Sequence, residues 1–425
     1  MTKQKEKQKK EMQTDILQRI VARKNRRYNV AIPILAVLTS LVIGAIIIAA
    51  SDPETIQAAG NLFKAPGEFF KSAFTAIYEA YSAMLEGAFG NPSRIFEAYR
   101  VWRNTGEAKT LLNELRPIGE SLVISTPYIF AGLGVAISFQ TGMVNIGAEG
   151  QLFVGGLASV FVAYSIKGLP IYIHLPLAFF AGFVAGAIWG FIPGYLKAKT
   201  GAHEVINTIM MNYIAFRLTD YLLSGPMAKS PSLPISPDVP ITAQIPTFLP
   251  APFRAHWGLM IAFIFAWLLH LLLFRTTFGL EIRMTGMNSR ASKYAGISTT
   301  LIATVAMALS GGIAGLAGAT TVLGVDHRMV RSFSSGYGFD AIALALLGNN
   351  NPWGVVLASL LFGFLRGGAA RMQSVAGTPV ELIRIIQGIV IIFVAAPEII
   401  QSIYKIKKPS DVIAIPGGQG DSNAN

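Results

Sequence analysis

Residues 31–50 read AIPILAVLTSLVIGAIIIAA, a run of twenty residues without a charge. At 1.5 Å of rise per residue, a helix of this length is about 30 Å long and matches the hydrocarbon core of a bilayer. A cleaved signal peptide is the alternative, because Ala49, Ala50 and Ser51 are small, but its apolar region would have only about 7–15 residues. We therefore predict that residues 31–50 form a retained first transmembrane helix.

The composition of the whole chain points the same way. Of 425 residues, 52% are hydrophobic and 14% are charged, whereas soluble domains have about 25% charged residues. These values exclude an ordinary cytosolic fold, a disordered chain and a collagen-like protein. The chain has no cysteine, which excludes disulfide frameworks and thiolate metal sites. The predicted fold class is an all-α polytopic membrane protein.

Nine further apolar segments follow the first one. Their approximate limits are 119–138, 150–166, 175–196, 205–224, 256–274, 300–323, 338–349, 353–370 and 382–403. With residues 31–50 they predict about ten transmembrane helices, and residues 119–403 form the predicted transmembrane core. Between the fifth and sixth helices, Gly225 to Pro252 contains eight prolines and is predicted to be an extended loop.

Residues 51–118 differ from the core because Ser51 to Arg116 holds fifteen charged residues. Apolar residues recur at helical spacing between these charges: Phe70, Phe74, Ile77, Tyr81, Met84 and Ala88. We interpret 51–118 as an extracellular amphipathic insertion that lies on the membrane or packs against the spans.

The distribution of Lys and Arg predicts the orientation. Residues 1–30 contain ten Lys or Arg and three acidic residues. With ten helices and the N-terminus inside, the cytoplasmic stretches hold nineteen Lys or Arg and the short outer loops hold six. This bias places 1–30 and 404–425 as cytoplasmic tails and 275–299 as a cytoplasmic loop. A basic tail beside an apolar helix contacts anionic membrane lipid, which argues against a nucleic-acid partner.

Two glycine clusters interrupt the apolar region. Residues 141–151 read TGMVNIGAEGQ and residues 335–340 read SGYGFD. Irregular backbone at membrane depth occurs where it lines a cavity, so both clusters predict broken helices. Each cluster precedes an apolar segment, and the next apolar segment contains the sequence Gly-Phe-x-x-Gly, at 190–194 and at 363–367. The two pairs suggest an inverted repeat; chance similarity in a glycine-rich chain is the alternative.

Polar residues in the breaks and in the following helix are candidates for a solute pathway. A carboxylate at membrane depth costs about 2.5–3.5 kcal/mol, so it is paired, faces a cavity or has a function. The alternative role is structural, through hydrogen bonds that hold a break or join two helices. The predicted pathway residues are Asn145, Glu149, Gln151, Asn207, Asn212 and Asp340. Arg217 and Asp220 are three residues apart and are predicted to form a structural pair.

The cytoplasmic loop contains a candidate docking element. Asn288 or Ser289 is suited to cap a short helix over 290–295, and Gly296 is suited to end it. A short basic helix between two spans can dock into a cytoplasmic partner. The alternative is a connecting turn that follows the positive-inside rule.

No enzyme motif is present in the sequence. In the closest approach to a phosphate-binding loop, Ala198 precedes Lys199 and Thr200 where glycine is required. His203 and Glu204 lack the second histidine of a zinc-protease helix. We predict no metal and no bound cofactor, and we see no base–nucleophile pair that an intramembrane enzyme would need. A proton- or sodium-coupled transporter with Glu149 and Asp340 as coupling groups stays as an alternative.

Residues 142–151, GMVNIGAEGQ, resemble the signature of the nucleoside branch of ABC importer permeases, which are related to ribose and branched-chain amino-acid permeases. Three further stretches agree in order: 192–214, 279–297 and 338–352. Together they cover roughly residues 120–400.

This resemblance implies the membrane subunit of a type II ABC importer for nucleosides. Two different permease subunits would stand over two ABC ATPase subunits that bind the ATP, and an extracellular lipid-anchored binding protein would deliver the solute. By the same resemblance, the loop at 279–297 couples the permease to the ATPase, and its predicted contact residues are Arg283, Gly286, Arg290, Ala295 and Gly296. A ribose-like sugar is the alternative solute. The lack of cysteine favours a Gram-positive cell membrane as the location.

Overall fold

A computed structural model of the chain describes residues 31–230, 232–379 and 381–406, and these residues form helices joined by turns, with no β-strand among them. The first helices are α1 (Ala31–Ser51), α2 (Pro53–Ala59), α3 (Pro66–Phe89), α4 (Pro92–Thr105), α5 (Lys109–Gln140), α6 (Ala148–Ser165), α7 (Ile171–Thr200) and α8 (Glu204–Ser224). The others are α9 (Gly258–Arg275), α10 (Thr277–Met287), α11 (Ser289–Tyr294), α12 (Thr299–Thr321), α13 (Tyr337–Leu347), α14 (Pro352–Ala376), α15 (Glu381–Ala395) and α16 (Pro397–Tyr404). The predicted all-α class is confirmed.

In the part of the chain that the structure describes, fewer helices are long and apolar enough to cross a membrane than the ten that the sequence predicts. Within the described residues, six helices are long and apolar enough to cross a bilayer, or seven if α15 and α16 form one bent span. α6 and α8 lie on predicted segments but are not among the six. α13 has only 11 residues, or about 17 Å at 1.5 Å per residue, which is short for a crossing. The count of about ten and the inverted repeat therefore stay predictions.

The chain divides into two compact units. In the smaller one, formed by the described residues of 1–46 and 385–425, Ala36 and Ile400 are fully buried and the Thr39 and Tyr404 hydroxyls lie 2.9 Å apart. The predicted basic tail 1–30, and the predicted C-terminal tail from residue 407 on, lie outside the described residues.

The larger unit, residues 47–384, is centred on α5 and α12. In their most apolar windows 83% and 78% of the residues are buried, whereas the figure for α7 is 22%. α5 and α12 thus fill the interior, and α7 leaves most of its surface for lipid or another chain.

α7 and α12 pack along a row of glycines. Gly182, Gly186 and Gly190 are one turn apart on α7 and face Gly311 and Gly315 on α12. A Cβ atom built on Gly186 would lie 2.3 Å from the carbonyl oxygen of Gly311, so only glycine fits there. Close backbone approach through small residues is a common way for helices to associate in membranes, where lipid gives little hydrophobic drive.

The insertion at 51–118 packs on the core mainly through small residues, with one aromatic contact between Phe89 and Phe364 at 4.5 Å. Gly87 of α3 approaches Gly368 of α14, and Glu86 accepts a hydrogen bond from Arg371 at 2.7 Å. Phe70 and Phe74, which the sequence pattern singles out, are 67% and 70% exposed. The close contact with α14 favours Ala, Met and Gly on the inner face of α3, and the rings of Phe70 and Phe74 stay exposed. The extracellular location of the insertion stays a prediction.

The described residues of the proline-rich segment 225–257 include no α-helix, as the prolines of this segment predict. It lies along the stretch that follows α12: the Ser236 N–H donates to the Met329 carbonyl at 3.0 Å and the Val239 N–H to the His327 carbonyl at 2.8 Å. At its end His256 is buried, and its Nδ1 accepts a hydrogen bond from the Gly258 N–H at 3.1 Å. Burial, together with the charge of nearby His327, lowers the pKa of His256 to about 4.

Candidate functional site

The two glycine clusters, nearly 190 residues apart in sequence, meet in the folded chain. Residues 141–147 separate α5 from α6, and Gly338, in the first turn of α13, packs on the backbone of Glu149, in the first turn of α6. A Cβ atom on Gly338 would lie 2.3 Å from the Glu149 nitrogen. The absence of a side chain at this position lets the N-termini of α6 and α13 lie side by side.

Glu149, which belongs to α6, caps the N-terminus of α13. One oxygen, Oε1, accepts a hydrogen bond from the Ser334 hydroxyl at 2.5 Å, and Oε2 accepts one from the Gly338 N–H at 2.6 Å. The Phe339 N–H also donates to this carboxylate. A negative charge at a helix N-terminus is favourable because the free N–H groups there carry partial positive charge. These contacts give Glu149 a structural role at the break.

Asn145 and Gln151 form a closed polar pair behind the break. The Asn145 amide donates to Gln151 Oε1 at 2.9 Å and to the Ser310 hydroxyl at 2.8 Å, while its oxygen accepts from the Gly147 N–H at 2.9 Å. Both side chains are fully buried. Their amides therefore fix the 141–147 segment and tie it to α12.

The two asparagines of α8 lie in different environments. Asn212 is buried and binds the backbone of both the break and α6: its amide donates to the Ile146 carbonyl at 2.9 Å, and its oxygen accepts from the Gly150 N–H at 2.8 Å. Asn207 makes no such contact, and its buried Nδ2 has no hydrogen-bond partner among the described residues. The pathway role predicted for these residues stays a prediction.

Asp340 belongs to a second polar cluster. Its Oδ2 accepts a hydrogen bond from the Tyr128 hydroxyl at 2.6 Å and lies 3.5 Å from Arg366 Nη1. Arg366 also donates to the Tyr128 oxygen at 2.7 Å and to the Ser335 carbonyl at 2.8 Å, and its guanidinium lies over the Tyr337 ring at 4.9 Å. We call Tyr128, Tyr337, Asp340 and Arg366 the arginine cluster.

Sequence reasoning missed Tyr128, Tyr337 and Arg366. A signal for Arg366 was present, because an arginine inside an apolar span is costly and is expected to have a partner or a function. The two tyrosines gave no such signal, since tyrosine is common in apolar segments.

The arginine cluster borders an open groove of about 550 Å³. The polar residues that line it are Asn113, Arg116, Glu120, Arg366, Arg371 and Ser374. Ile124 lines it as well, one helical turn before Tyr128 on α5. The groove thus leads along α5 and α14 towards the cluster.

The predicted docking helix is present. Asn288 accepts a hydrogen bond from the Ala291 N–H at 3.0 Å and caps α11 (Ser289–Tyr294), and Gly296 follows in a left-handed conformation with φ +85°. Of the five predicted coupling residues, four are exposed: Gly286, Arg290, Ala295 and Gly296. The fifth, Arg283, is half-buried with its guanidinium over the Phe274 ring at 5.1 Å.

The docking loop touches the break directly. A Cβ atom on Gly286 would lie 2.2 Å from the Gln140 carbonyl oxygen and 3.0 Å from the Gly142 nitrogen. From the same turn, the Gln140 side chain donates to the Asn350 carbonyl at 3.0 Å, just after α13. A displacement of α10 would therefore reach the break at 141–147 and, through Gln140, the turn that follows α13.

Other polar contacts lie on α8 and join it to the stretch that follows α12. Arg217 and Asp220 form the predicted pair at 3.6 Å, and Arg331 joins Asp220 at 3.8 Å. Among the described residues, no three His, Asp or Glu side chains are grouped so that they could hold a metal ion.

Comparison with known proteins gives one family and several close relatives. Residues 118–395 match the family described as "Branched-chain amino acid transport system / permease component". The guanosine ABC transporter permease protein NupP of Bacillus subtilis (strain 168) is 43% identical over 310 residues, which cover 70% of this chain and 86% of NupP.

Two further relatives have different stated solutes. The glucose ABC transporter permease protein TsgB13 of Haloferax volcanii is 36% identical over 66% of this chain and 76% of its own length. The nucleoside ABC transporter permease protein NupB of Lactococcus lactis is 35% identical over 71% of this chain and 85% of NupB. No solved structure matches the chain.

Proposed function

This chain belongs to the family of permease components of branched-chain amino acid transport systems, and from that membership we propose that it is the subunit through which an ATP-driven importer takes up nucleosides. The observation that carries the proposal is the 43% identity with the guanosine permease NupP, which extends over 86% of NupP. Permease components of this family are transport subunits and not enzymes, so ATP hydrolysis belongs to a separate ATPase subunit.

The family implies an ATPase and a solute-binding protein as partners. We propose that α10 and α11 dock into the ATPase through Gly286, Arg290, Ala295 and Gly296, and that Arg283 supports the loop from inside. A second, different permease subunit would complete the pathway, and a lipid-anchored binding protein would deliver the nucleoside from outside. The exposed Arg290 and the contact of Gly286 with Gln140 support this assignment of the coupling loop.

Ten membrane segments, two of them incomplete crossings, fit the proposed topology. α6 and α13 would be the incomplete ones, since both begin at the Glu149–Gly338 contact and are not apolar and long enough to count as spans. Both termini would be cytoplasmic, in accord with the positive-inside count. The relatives from Bacillus subtilis and Lactococcus lactis are consistent with a Gram-positive cell membrane.

A sugar is the second candidate solute, because TsgB13 is named as a glucose permease and is 36% identical. Fold and partners would be the same for a sugar importer. The residues around the break do not distinguish the two solutes, since Asn145, Gln151 and Asn212 bind the protein itself.

Uptake of labelled guanosine and uridine in cells with and without the gene tests the proposal. Each assay is repeated with excess unlabelled ribose or glucose. Gene-dependent nucleoside uptake that is insensitive to sugar supports the nucleoside importer, whereas loss of sugar entry alone on deletion assigns the protein to sugars. Uptake that collapses with an ionophore while ATP is maintained would instead indicate ion-coupled transport through Glu149 and Asp340.

A further inference from the structure

The groove along α5 and α14 carries charges that lipid would not tolerate. Arg116, Glu120, Arg366 and Arg371 all line it, and Arg366 lies within an apolar span, where a charged side chain faces the protein interior or water rather than hydrocarbon. The groove therefore faces water or another protein chain. Its volume of about 550 Å³ is within the range of small-molecule sites.

Arg366 is held in a fixed plane at the groove. Its Nη1 donates to the Tyr128 oxygen and its Nη2 to the Ser335 carbonyl, while the Tyr337 ring lies beneath it at 4.9 Å. A guanidinium has five N–H donors, so these two hydrogen bonds leave others free. The side chain is 21% exposed, which lets a solute in the groove reach it.

Asp340 places an acceptor beside this donor. Its side-chain contacts with Tyr128 and Arg366 both use Oδ2, and within the described part of the chain Oδ1 has no hydrogen-bond donor. The side chain is 27% exposed.

We propose that Arg366 and Asp340 read the edge of a 6-oxopurine base as it passes through the permease. The inference rests on the proposed nucleoside function and names the base within that class. An arginine fork fits the O6 and N7 acceptors of guanine, and a carboxylate accepts hydrogen bonds from base N–H groups. The N1–H and 2-amino groups of guanine would meet Asp340. Adenine has an amino group where guanine has O6 and would present a donor to the arginine.

Two substitutions separate recognition from structural support. Arg366→Lys keeps the charge but loses the planar fork, so we expect the ratio of guanosine to adenosine transport to fall by roughly tenfold or more. Asp340→Asn replaces a carboxylate oxygen by an amide donor. Xanthosine, which has a carbonyl where guanosine has the 2-amino group, should therefore gain relative to guanosine.

The experiment measures saturating and sub-saturating uptake of labelled guanosine, xanthosine, adenosine and uridine in cells that carry the complete importer. Because the binding protein is the same in every strain, a changed ratio between solutes comes from the permease. The matched control is Arg331→Lys: Arg331 also contacts an aspartate and a hydroxyl but does not line the groove, so the ratios should stay at the wild-type values. Permease levels in the membrane are measured by immunoblot.

The possible results are distinct. Shifted ratios in Arg366→Lys, or a gain for xanthosine in Asp340→Asn, support base reading by the pair. Equal loss of all four solutes in both variants, or unchanged ratios, overturns it and leaves the cluster a structural role. Absence of nucleoside uptake in the wild type contradicts the proposed function itself.

Discussion

The carboxylate of Glu149 and the backbone N–H of Gly338 are 2.6 Å apart although 189 residues separate them in the chain. The contact joins the start of α6 to the start of α13, so that one helix provides the cap of the other. An N–H group at the start of α13 that would otherwise be unpaired is thereby satisfied by a single buried side chain of α6.

Glu149→Gln should lower both the stability of the permease and its transport rate. The amide keeps one acceptor oxygen but loses the charge, and its NH₂ group must face either the Gly338 N–H, which is another donor, or the Ser334 hydroxyl, which would then have to accept a hydrogen bond instead of donating one. Hydrogen bonds to charged groups contribute about 1.5–3 kcal/mol each, so we expect a clearly lower Tm in detergent. Glu79→Gln, at an exposed position of α3, is the control and should have the wild-type Tm. Loss of uptake with an unchanged Tm would contradict the capping role and favour direct contact with the solute.

Gly186→Ala should prevent α7 and α12 from packing. The new methyl group would lie 2.3 Å from the Gly311 carbonyl oxygen, and backbone cannot yield as a flexible side chain does. Overpacking of this kind typically costs 1–3 kcal/mol, which we expect as a loss of folded protein in size-exclusion chromatography. Gly67→Ala, where no atom lies within 4 Å of the new methyl, should elute like the wild type. A normal profile for Gly186→Ala would show that the two helices separate readily.

Gly286→Ala should uncouple ATP hydrolysis from transport without detaching the ATPase. The added methyl group would clash with the Gln140 carbonyl at 2.2 Å and push α10 away from the break. We expect the ATPase to co-purify and to hydrolyse ATP while nucleoside uptake falls. Lys167→Ala, in the turn between α6 and α7, is the control. Normal uptake by Gly286→Ala would remove the proposed link between docking loop and break.

Arg290→Glu should weaken the binding of the ATPase itself, the step that precedes coupling. Arg290 is exposed on α11, and reversal of its charge should weaken co-purification of the ATPase while the permease still inserts into the membrane. If the ATPase binds as well as it does to the wild type and uptake is normal, α11 is a connecting turn and not a docking helix.

Stability should fall with acid because of His256. The pKa of His256 is about 4 in the folded chain and about 6.5 when unfolded, so between these values the unfolded chain binds a proton that the folded one does not. Folding stability is therefore complete above about pH 6.5 and decreases as the pH falls towards 4, by a few kcal/mol in all. His327 lies close enough to strengthen the effect, because its positive charge opposes that of His256.

Thermal unfolding of the purified permease at pH 7.5, 6.0 and 5.0 measures this dependence. His256→Gln should have a lower Tm at pH 7.5 and a smaller decrease with acid than the wild type. An equal decrease in both proteins would assign the acid sensitivity to other groups.

The sequence predicts the helices well where an uninterrupted apolar run decides the structure. Eight of the nine segments after residue 50 each fall on one helix, and the ninth, 382–403, falls on the bent pair α15 and α16. Asn288 and Gly296 bound the short docking helix as their capping preferences predict. These features are local, because a cap or an apolar run acts within a few residues.

The sequence does not predict which side chains meet across the bundle. Tyr128 and Arg366 are 238 residues apart, and their contact depends on how α5 packs against α14. On α3 the apolar pattern includes Met84 and Ala88, which are buried, but it does not predict that Phe70 and Phe74 stay exposed. Close approach of α3 to Gly368 favours Gly87 and other small residues at the contact.

The glycine row between α7 and α12 also limits the motion of the transport cycle. Side chains that interdigitate can change rotamer and let two helices slide, but at Gly186 and Gly311 one backbone touches the other with nothing between them. We therefore expect α7 and α12 to move together as one rigid body. Alternating access would then have to come from hinges elsewhere, at the Gly142 and Gly336 turns, where glycine with positive φ can rotate at low cost.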